Sequence, residues 1–319
     1  MKKIITSASL VVFSVVAFAQ QDAQFTQNFM NRLAVNPGYA GINGSICAFT
    51  LYRTQWVGFD GQPQTGLLSL DAPIGAKKNM GLGLTIQTDK LGYMNNFYGK
   101  LAYSYHLNLG PEGAKLGLGL EVGAINNTIS GTWLAPDGTD GSGGTGGQVD
   151  ALIPQGNKAG TTYDVGFGAY YNIPDKLYVG LASSHLPANP NGAYYDLARH
   201  YYITAGYDYA VTDMITLKPS IFVKSDAAST ALDINLVAMY NQLVWAGVSY
   251  RLKDAIAPMV GVQINKLGPG TLKFGYSYDV TTSALKTYSS GSHEIMLGYC
   301  FNVTPKPKVI TKFYNVRFL

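Results

Sequence analysis

The chain has 319 residues, of which 47% are hydrophobic and only 13% are charged. That charged fraction is about half of what soluble globular domains usually carry, and no internal run reaches the roughly 18 apolar residues of a transmembrane helix. The net charge of +4 is small and scattered, which argues against nucleic acid as a partner. With 37 glycines and 23 tyrosines, the composition favours a membrane β-barrel, whose lipid-facing side chains alternate with lumen side chains.

Residues 1–19 predict a secretory signal peptide. Lys2 and Lys3 precede an apolar core, and small residues at Ala17 and Ala19 fit a cleavage site after Ala19. A single N-terminal membrane anchor is the alternative. Because Gln20 rather than a cysteine would follow the cut, a lipoprotein is not expected. The mature chain is therefore expected to leave the cytoplasm of a bacterium for the outer membrane.

Residues 20–42 are predicted to form a periplasmic N-terminal segment, either free or folded into the mouth of the barrel. This stretch has no clean period, and its Asn-Pro-Gly sequence marks a turn. Asn36, Pro37 and Tyr39 are candidate partner-binding residues. The alternative is that they form a simple turn that anchors the segment.

From residue 43 to residue 302 apolar side chains alternate with small or polar ones. Leu118 and Leu120, for example, alternate with Gly117 and Gly119, and such runs of about ten residues are long enough for a tilted strand to cross a bilayer. The predicted strands are 43–57, 62–73, 80–88, 93–108, 114–126, 161–173, 176–184, 199–210, 215–224, 230–240, 243–252, 256–265, 270–280 and 291–302. The pattern predicts an all-β fold, an antiparallel transmembrane β-barrel of about 14 strands closed by the last one and surrounded by outer-membrane lipid.

The lengths of the predicted connections support this fold. One side of the barrel has brief turns, whereas the long connections 127–160, 184–198 and 281–290 all fall on the other side. Outer-membrane barrels have short periplasmic turns and longer outer loops. A soluble β-sandwich is the alternative, but it would not explain the asymmetry.

The predicted inward-facing residues carry both signs of charge. They are Lys100, Lys115, Lys218, Lys224, Arg251 and Lys273, with Glu121, Asp164, Asp208, Asp233, Asp279 and Glu294. Buried charges need partners, so this mixture predicts a paired polar interior rather than an ion-selective pore.

Two further segments are predicted from composition. Residues 137–147 are rich in Gly, Ser and Thr, which predicts a flexible linker. The alternative is that Asp137 and Asp140 bind a calcium ion. Residues 303–319 contain two prolines and several basic residues, which predicts a periplasmic docking tail.

No catalytic, cofactor or metal motif is recognised, so no enzyme activity, cofactor or metal is expected. The four histidines have no metal-ligand spacing; they are His106, His185, His200 and His293. The Gly81/Gly83 and Gly117/Gly119 pairs lie within alternating strands rather than at a strand-to-helix turn. They are predicted to make space on the lumen face.

Cys47 and Cys300 are the only cysteines. The first and last strands of a closed barrel are neighbours, so the two residues are a candidate disulfide in an oxidising compartment. The bond requires both side chains on the same face, and the pattern of the first strand leaves that open.

Four stretches resemble the PorP/SprF family of outer-membrane proteins of the type IX secretion and gliding-motility system. They are residues 22–27 with 36–41, residues 53–65 (RTQWVGFDGQPQT), residues 90–107 (KLGYMNNFYGKLAYSYHL) and residues 292–301 (SHEIMLGYCF). The resemblance spans nearly the whole mature chain in order. Its most specific motif consists of Trp56, Gly58, Phe59, Gly61 and Pro63.

The resemblance implies a non-enzymatic barrel that binds, shuttles or anchors secreted cargo through the cargo's C-terminal domains and contacts periplasmic secretion components. Residues 56–63 would lie in the first outer connection and are candidate partner-binding residues. A membrane-interface aromatic girdle would equally explain Trp56 and Phe59. The alternative function is a plugged channel for small or hydrophobic solutes.

Overall fold

The computed structural model describes residues 22–75, 77–110, 112–130, 157–187 and 197–302. The predicted signal peptide and its cleavage after Ala19, the linker with Asp137 and Asp140, and the basic tail 303–319 lie outside the described residues. Among the described residues, no helix is long and apolar enough to cross a membrane.

The described chain consists almost entirely of antiparallel strands. They are β1 Ser45–Thr54, β2 Gln64–Ile74, β3 Met80–Leu91, β4 Met94–Asn108, β5 Lys115–Ile129, β6 Lys158–Ile173, β7 Leu177–Ser184, β8 His200–Tyr207, β9 Tyr209–Ala210, β10 Ile215–Ser225, β11 Thr230–Tyr240, β12 Val244–Arg251, β13 Ala255–Leu267, β14 Gly270–Thr281 and β15 Ser292–Asn302. Two short 3-10 helices, Pro37–Tyr39 and Ala284–Thr287, complete the described elements.

The strands close into a barrel. Each pairs with its neighbours along the chain, and β1 pairs with β15 over its whole length, so no edge is left unpaired. The short β9 continues β8 in the same register against β10 after an interruption at Asp208, so fifteen segments occupy fourteen positions. The closed barrel of fourteen antiparallel strands confirms the predicted fold class.

The two-residue period decides which side chains face outward. In β5 Leu120 is 62% exposed, whereas its neighbour Glu121 is only 6% exposed. In β15 Ile295 and Leu297 are exposed, whereas Glu294 is buried. Successive side chains of a strand point to opposite faces. The outward face is therefore apolar, as a lipid-facing surface requires, and the lumen face is polar.

The three strands that precede the long connections, β5, β7 and β14, all end on the same side of the barrel. We call this the outer end. The opposite end, called the inner end, has short turns such as 174–176 and 241–243, and β1 begins there. This asymmetry agrees with the predicted connections.

The N-terminal residues 22–44 lie inside the barrel. They start near the outer end, where the Asp22 N–H donates to His200, and end near the inner end, where Lys78 donates to the Gly44 carbonyl. Thr26 and Gln27 are completely buried on the way. The sequence predicted a periplasmic segment, free or at the barrel mouth. The structure places its described part along the length of the lumen, because inward-facing charged and amide groups of many strands offer it hydrogen-bond partners.

Glycines on the lumen face make this path possible. A side chain at Gly117 or Gly119 would overlap the backbone of Gly38, and one at Gly81 would overlap the Ala40 carbonyl. The 3-10 helix Pro37–Tyr39 therefore packs directly against the backbone of the barrel strands at these glycines. The prediction that these glycines make space on the lumen face is confirmed, and the N-terminal segment fills that space.

Candidate functional site

An ion network on five strands holds the outer half of the N-terminal segment. We call it the Arg53 cluster; its members are Arg53, Asp233, Arg251, Asp279 and Glu294, on β1, β11, β12, β14 and β15. The Arg53 guanidinium lies 2.8 Å from Asp279 and 3.2 Å from Glu294. Arg251 lies 3.0 Å from Asp233 and 3.1 Å from Asp279. All five side chains are at most 4% exposed, and the paired interior that the sequence predicted is present here.

The segment completes the Arg53 cluster. Glu294 accepts the backbone N–H groups of Thr26 and Gln27 at 2.8 and 2.7 Å. The Thr26 hydroxyl donates to Asp279 at 2.7 Å and accepts from Arg53 at 2.9 Å. Buried charges are tolerated only where such bonds satisfy them. The segment and the wall therefore stabilise each other.

The middle of the segment is held through Asn36. Its side-chain oxygen accepts the Gly38 N–H at 2.9 Å, and its amide donates to the carbonyls of Ala169 and Leu181 at 3.1 and 3.3 Å. Pro37 is buried beside it, and Tyr39 packs edge-to-face on Tyr170. The structure thus places the candidate partner residues Asn36, Pro37 and Tyr39 inside the lumen, where they form the anchoring turn.

A second cluster lies at the outer end, around the start of the segment. His185 lies between two carboxylates, 3.1 Å from Asp22 and 3.1 Å from Asp164. Asp164 also pairs with Lys100 at 2.9 Å. Burial lowers the pKa of His185, but Asp22 and Asp164 together raise it to about 9. Burial raises the pKa of Asp22, whereas His200 and His185 hold it well below its ordinary value.

The inner end opens into a basic cavity of about 450 Å³. Among the described residues that line it, five cations face two carboxylates: Arg32, Lys115, Lys176, Lys218 and Lys273 against Asp175 and Asp208. Arg32 lies 3.9 Å above the ring of Tyr178 and donates to the Tyr170 hydroxyl at 3.0 Å. An excess of positive charge in a concave surface attracts anionic groups.

The motif of residues 56–63 lies in the β1–β2 connection at the outer end. Its backbone pairs with the β14–β15 connection, since the Val57 N–H donates to the Gly291 carbonyl at 2.8 Å. Gly58 and Gly61 have φ of 130° and 81°, a backbone conformation that favours glycine. These two glycines therefore shape the loop.

The other three members of the motif differ in exposure. Phe59 is 39% exposed, Trp56 is half-buried and Pro63 is buried. Trp56 and Pro63 line an outer cavity of about 420 Å³ together with Asp22. Of the predicted partner residues, Phe59 is the side chain that the loop presents most openly.

Cys47 and Cys300 form a disulfide across the seam of the barrel. They are directly opposed in the β1–β15 register, with Cα atoms 4.1 Å apart. Cys47 is in phase with the buried Arg53, and Cys300 is in phase with the buried Glu294. Both side chains therefore face the lumen, which settles the question that the sequence pattern left open.

The sequence model of the type IX secretion system membrane protein family PorP/SprF matches residues 17–299. This chain belongs to the PorP/SprF family. The match confirms the resemblance that the four stretches predicted. No curated protein sequence matches this PorP/SprF chain significantly.

Solved structures share the fold of this PorP/SprF protein. The toluene transporter TodX of P. putida is 10% identical, with a TM-score of 0.53, over 86% of this chain and 95% of TodX. The CymD monoaromatic hydrocarbon channel is 14% identical, with a TM-score of 0.52, over 88% of this chain and 94% of CymD. At such identities the similarity shows the fold alone.

Sequence reasoning missed the role of the N-terminal segment. Asp22, Thr26 and Asn28 bind wall residues that lie 150 or more positions away in sequence. The available signal was the polar character of residues 22–28, which have no period but carry many hydrogen-bonding groups. Such a stretch next to a barrel with many inward-facing charged residues is a candidate lumen segment.

Proposed function

We propose that this PorP/SprF protein is a non-enzymatic outer-membrane scaffold that binds or anchors secreted cargo proteins at the cell surface and contacts periplasmic components of the secretion system. One observation carries the proposal. Residues 22–44 fill the lumen and are bonded to its wall near both ends and in the middle. A filled barrel leaves its two ends as the surfaces available for function.

The outer end offers an aromatic surface that suits a protein partner. Phe59 is 39% exposed, and Tyr288 on the adjoining connection is 73% exposed. The two connections are joined by backbone bonds between Val57 and residues 290–291. Aromatic side chains are enriched among the few residues that carry most of the binding energy in protein interfaces. We assign this surface to the C-terminal domains of the cargo.

The inner end offers a surface of different character. The basic cavity carries an excess of positive charge, and β15, the last described strand, ends on this side of the barrel. Complementary charge steers association and fixes orientation. We assign this end to acidic surfaces of periplasmic secretion components.

The proposal is tested by surface display in a deletion strain. Complementation with the wild-type gene is expected to restore display of a subset of exported proteins, whereas the double variant F59A/Y288A is expected to restore little of it. Tyr209→Ala removes a comparably exposed aromatic (57%) near the inner end and serves as the matched control. Display is measured by immunolabelling of whole cells, and partner loss by crosslinking and affinity purification. Unchanged display in the deletion strain would contradict the proposed function.

A plugged channel for hydrophobic solutes is the second candidate. It is favoured by the fold shared with TodX and CymD, which are named as a toluene transporter and a monoaromatic hydrocarbon channel. The charged lumen of this protein argues against an apolar path. Purified protein in planar bilayers is expected to show little steady current, and clear solute-sensitive openings would favour the channel.

A further inference from the structure

Asp22, His185 and His200 converge at the outer end of the lumen. Asp22 belongs to the N-terminal segment, His185 follows β7 and His200 begins β8. One potential ligand atom of each residue lies within 4.8 Å of those of the other two. Both histidines are buried. Among the described residues, this is the group of histidines and carboxylates that is close enough to share one metal ion.

Each histidine has an oxygen atom close to the ring nitrogen that points away from Asp22. His185 Nδ1 lies 3.1 Å from Asp164, and His200 Nδ1 lies 2.9 Å from the Ala198 carbonyl. Metal-binding histidines almost always donate their second N–H to a carboxylate or a carbonyl, and both rings have such an oxygen nearby. The arrangement leaves Nε2 of both rings directed at Asp22.

The contact between His185 and Asp22 has a spacing that two ligands of one metal ion can adopt. The Nε2 atom of His185 lies 3.1 Å from the Asp22 carboxylate oxygen. Neighbouring ligands of a tetrahedral zinc with bonds of ~2.0–2.1 Å lie about 3.3 Å apart. A metal ion that replaces the proton between these two atoms therefore needs only a small movement of the side chains.

We propose that Asp22, His185 and His200 form a binding site for a divalent transition-metal ion of the zinc type. Two imidazoles and one carboxylate are ligands that Zn²⁺ prefers, whereas Mg²⁺ and Ca²⁺ prefer oxygen ligands. The Tyr202 hydroxyl, which donates to Asp22, or a water completes the fourth position. A cavity of about 30 Å³ beside Asp22 and His185 has room for a water or an ion.

Binding would change one hydrogen bond and the local charge. The Asp22 N–H, which donates to His200 Nε2 at 3.1 Å, would give up that acceptor to the metal. Lys224 donates to the Asp22 carbonyl and Lys100 pairs with Asp164, so the cations nearby already have other partners. The metal would clamp the start of the segment to the barrel wall and thereby hold the outer end of the lumen closed.

The test uses the mature protein, purified in detergent through a tag without histidine and stripped with a chelator. Calorimetric titration with Zn²⁺ is expected to give one site per chain, and Mg²⁺ is expected to give none. H200Q and D22N are each expected to weaken Zn²⁺ binding at least tenfold. H293Q is the matched control, because His293 lies outside the group and contacts the Tyr276 hydroxyl. Co²⁺ in the wild type is expected to show the visible bands of tetrahedral coordination.

Two results would overturn the proposal. One is the absence of Zn²⁺ binding by the wild type, which would leave a proton between His185 and Asp22. The other is Zn²⁺ binding that H200Q and D22N leave unchanged, which would place the ion elsewhere. Heat-dependent mobility on SDS gels verifies that each variant is folded, so a loss of binding is not confused with a loss of the barrel. The outcome is independent of whether cargo binds.

Discussion

Arg53 provides the sharpest test of how the N-terminal segment is held. Its guanidinium bonds to Asp279, Glu294 and Thr26 at 2.8, 3.2 and 2.9 Å and is 1% exposed. In R53M, Asp279 keeps Arg251 and the Thr26 hydroxyl, whereas Glu294 keeps only the bonds from residues 26 and 27. The substitution removes a cation from a buried group that has two arginines and three carboxylates.

The expected loss of stability is large. Removing one partner of a buried ion pair costs about 3–5 kcal/mol, because the other charge stays buried without compensation. R53K keeps the charge but cannot bond two carboxylates in the manner of a guanidinium, so its loss should be intermediate. K176M breaks the pair with Glu112, in which both side chains are more than half exposed (51% and 60%). Such a surface pair contributes only about 0–1 kcal/mol.

The assay is equilibrium unfolding of the mature protein in detergent micelles with increasing urea, followed by tryptophan fluorescence. The free energy of unfolding is expected to fall in the order wild type, K176M, R53K, R53M. Planar-bilayer recordings give a second readout, since loosening residues 22–28 should produce intermittent openings in R53M that K176M lacks. If R53M unfolds within about 1 kcal/mol of K176M and stays closed, the Arg53 cluster does not hold the segment.

Three further outcomes are expected. G117A should destabilise the protein by about 1–3 kcal/mol, because the new methyl group meets the Gly38 backbone and overpacking costs that much. The control in the same unfolding assay is G99A, where the new methyl group would only reach ordinary contact with the Phe97 ring at 3.8 Å. Equal effects of the two substitutions would contradict the close approach of Gly117 to Gly38. Mass spectrometry of the non-reduced mature protein should find no free thiol at Cys47 or Cys300, and two free thiols would exclude the bond. The double variant C47S/C300S should lower the free energy of unfolding by about 2–4 kcal/mol. Deletion of residues 22–35 should open a steady conductance in planar bilayers, because this stretch fills the outer half of the lumen. A deletion variant that folds but does not conduct would show that other parts of the chain block the lumen.

The alternation of side chains determined the barrel. Leu116 to Val122 and Ile295 to Phe301 show which face of β5 and β15 meets lipid, because the period of a strand is local and equals two residues. Strand number and the end that carries the long connections follow from the same count. The period also indicated that charged residues such as Glu121 and Glu294 face inward.

Only the tertiary structure decided which inward groups meet. Asp22 and His185 are separated by 163 positions, and Cys47 and Cys300 by 253, so no local pattern relates them. Whether two cross-strand residues share a face depends on register, and a slip of one residue would turn one of them to the other face. The path of residues 22–44 through the lumen is likewise not encoded in any local pattern. Their hydrogen-bond partners lie on separate strands that converge on one lumen only after the barrel has closed.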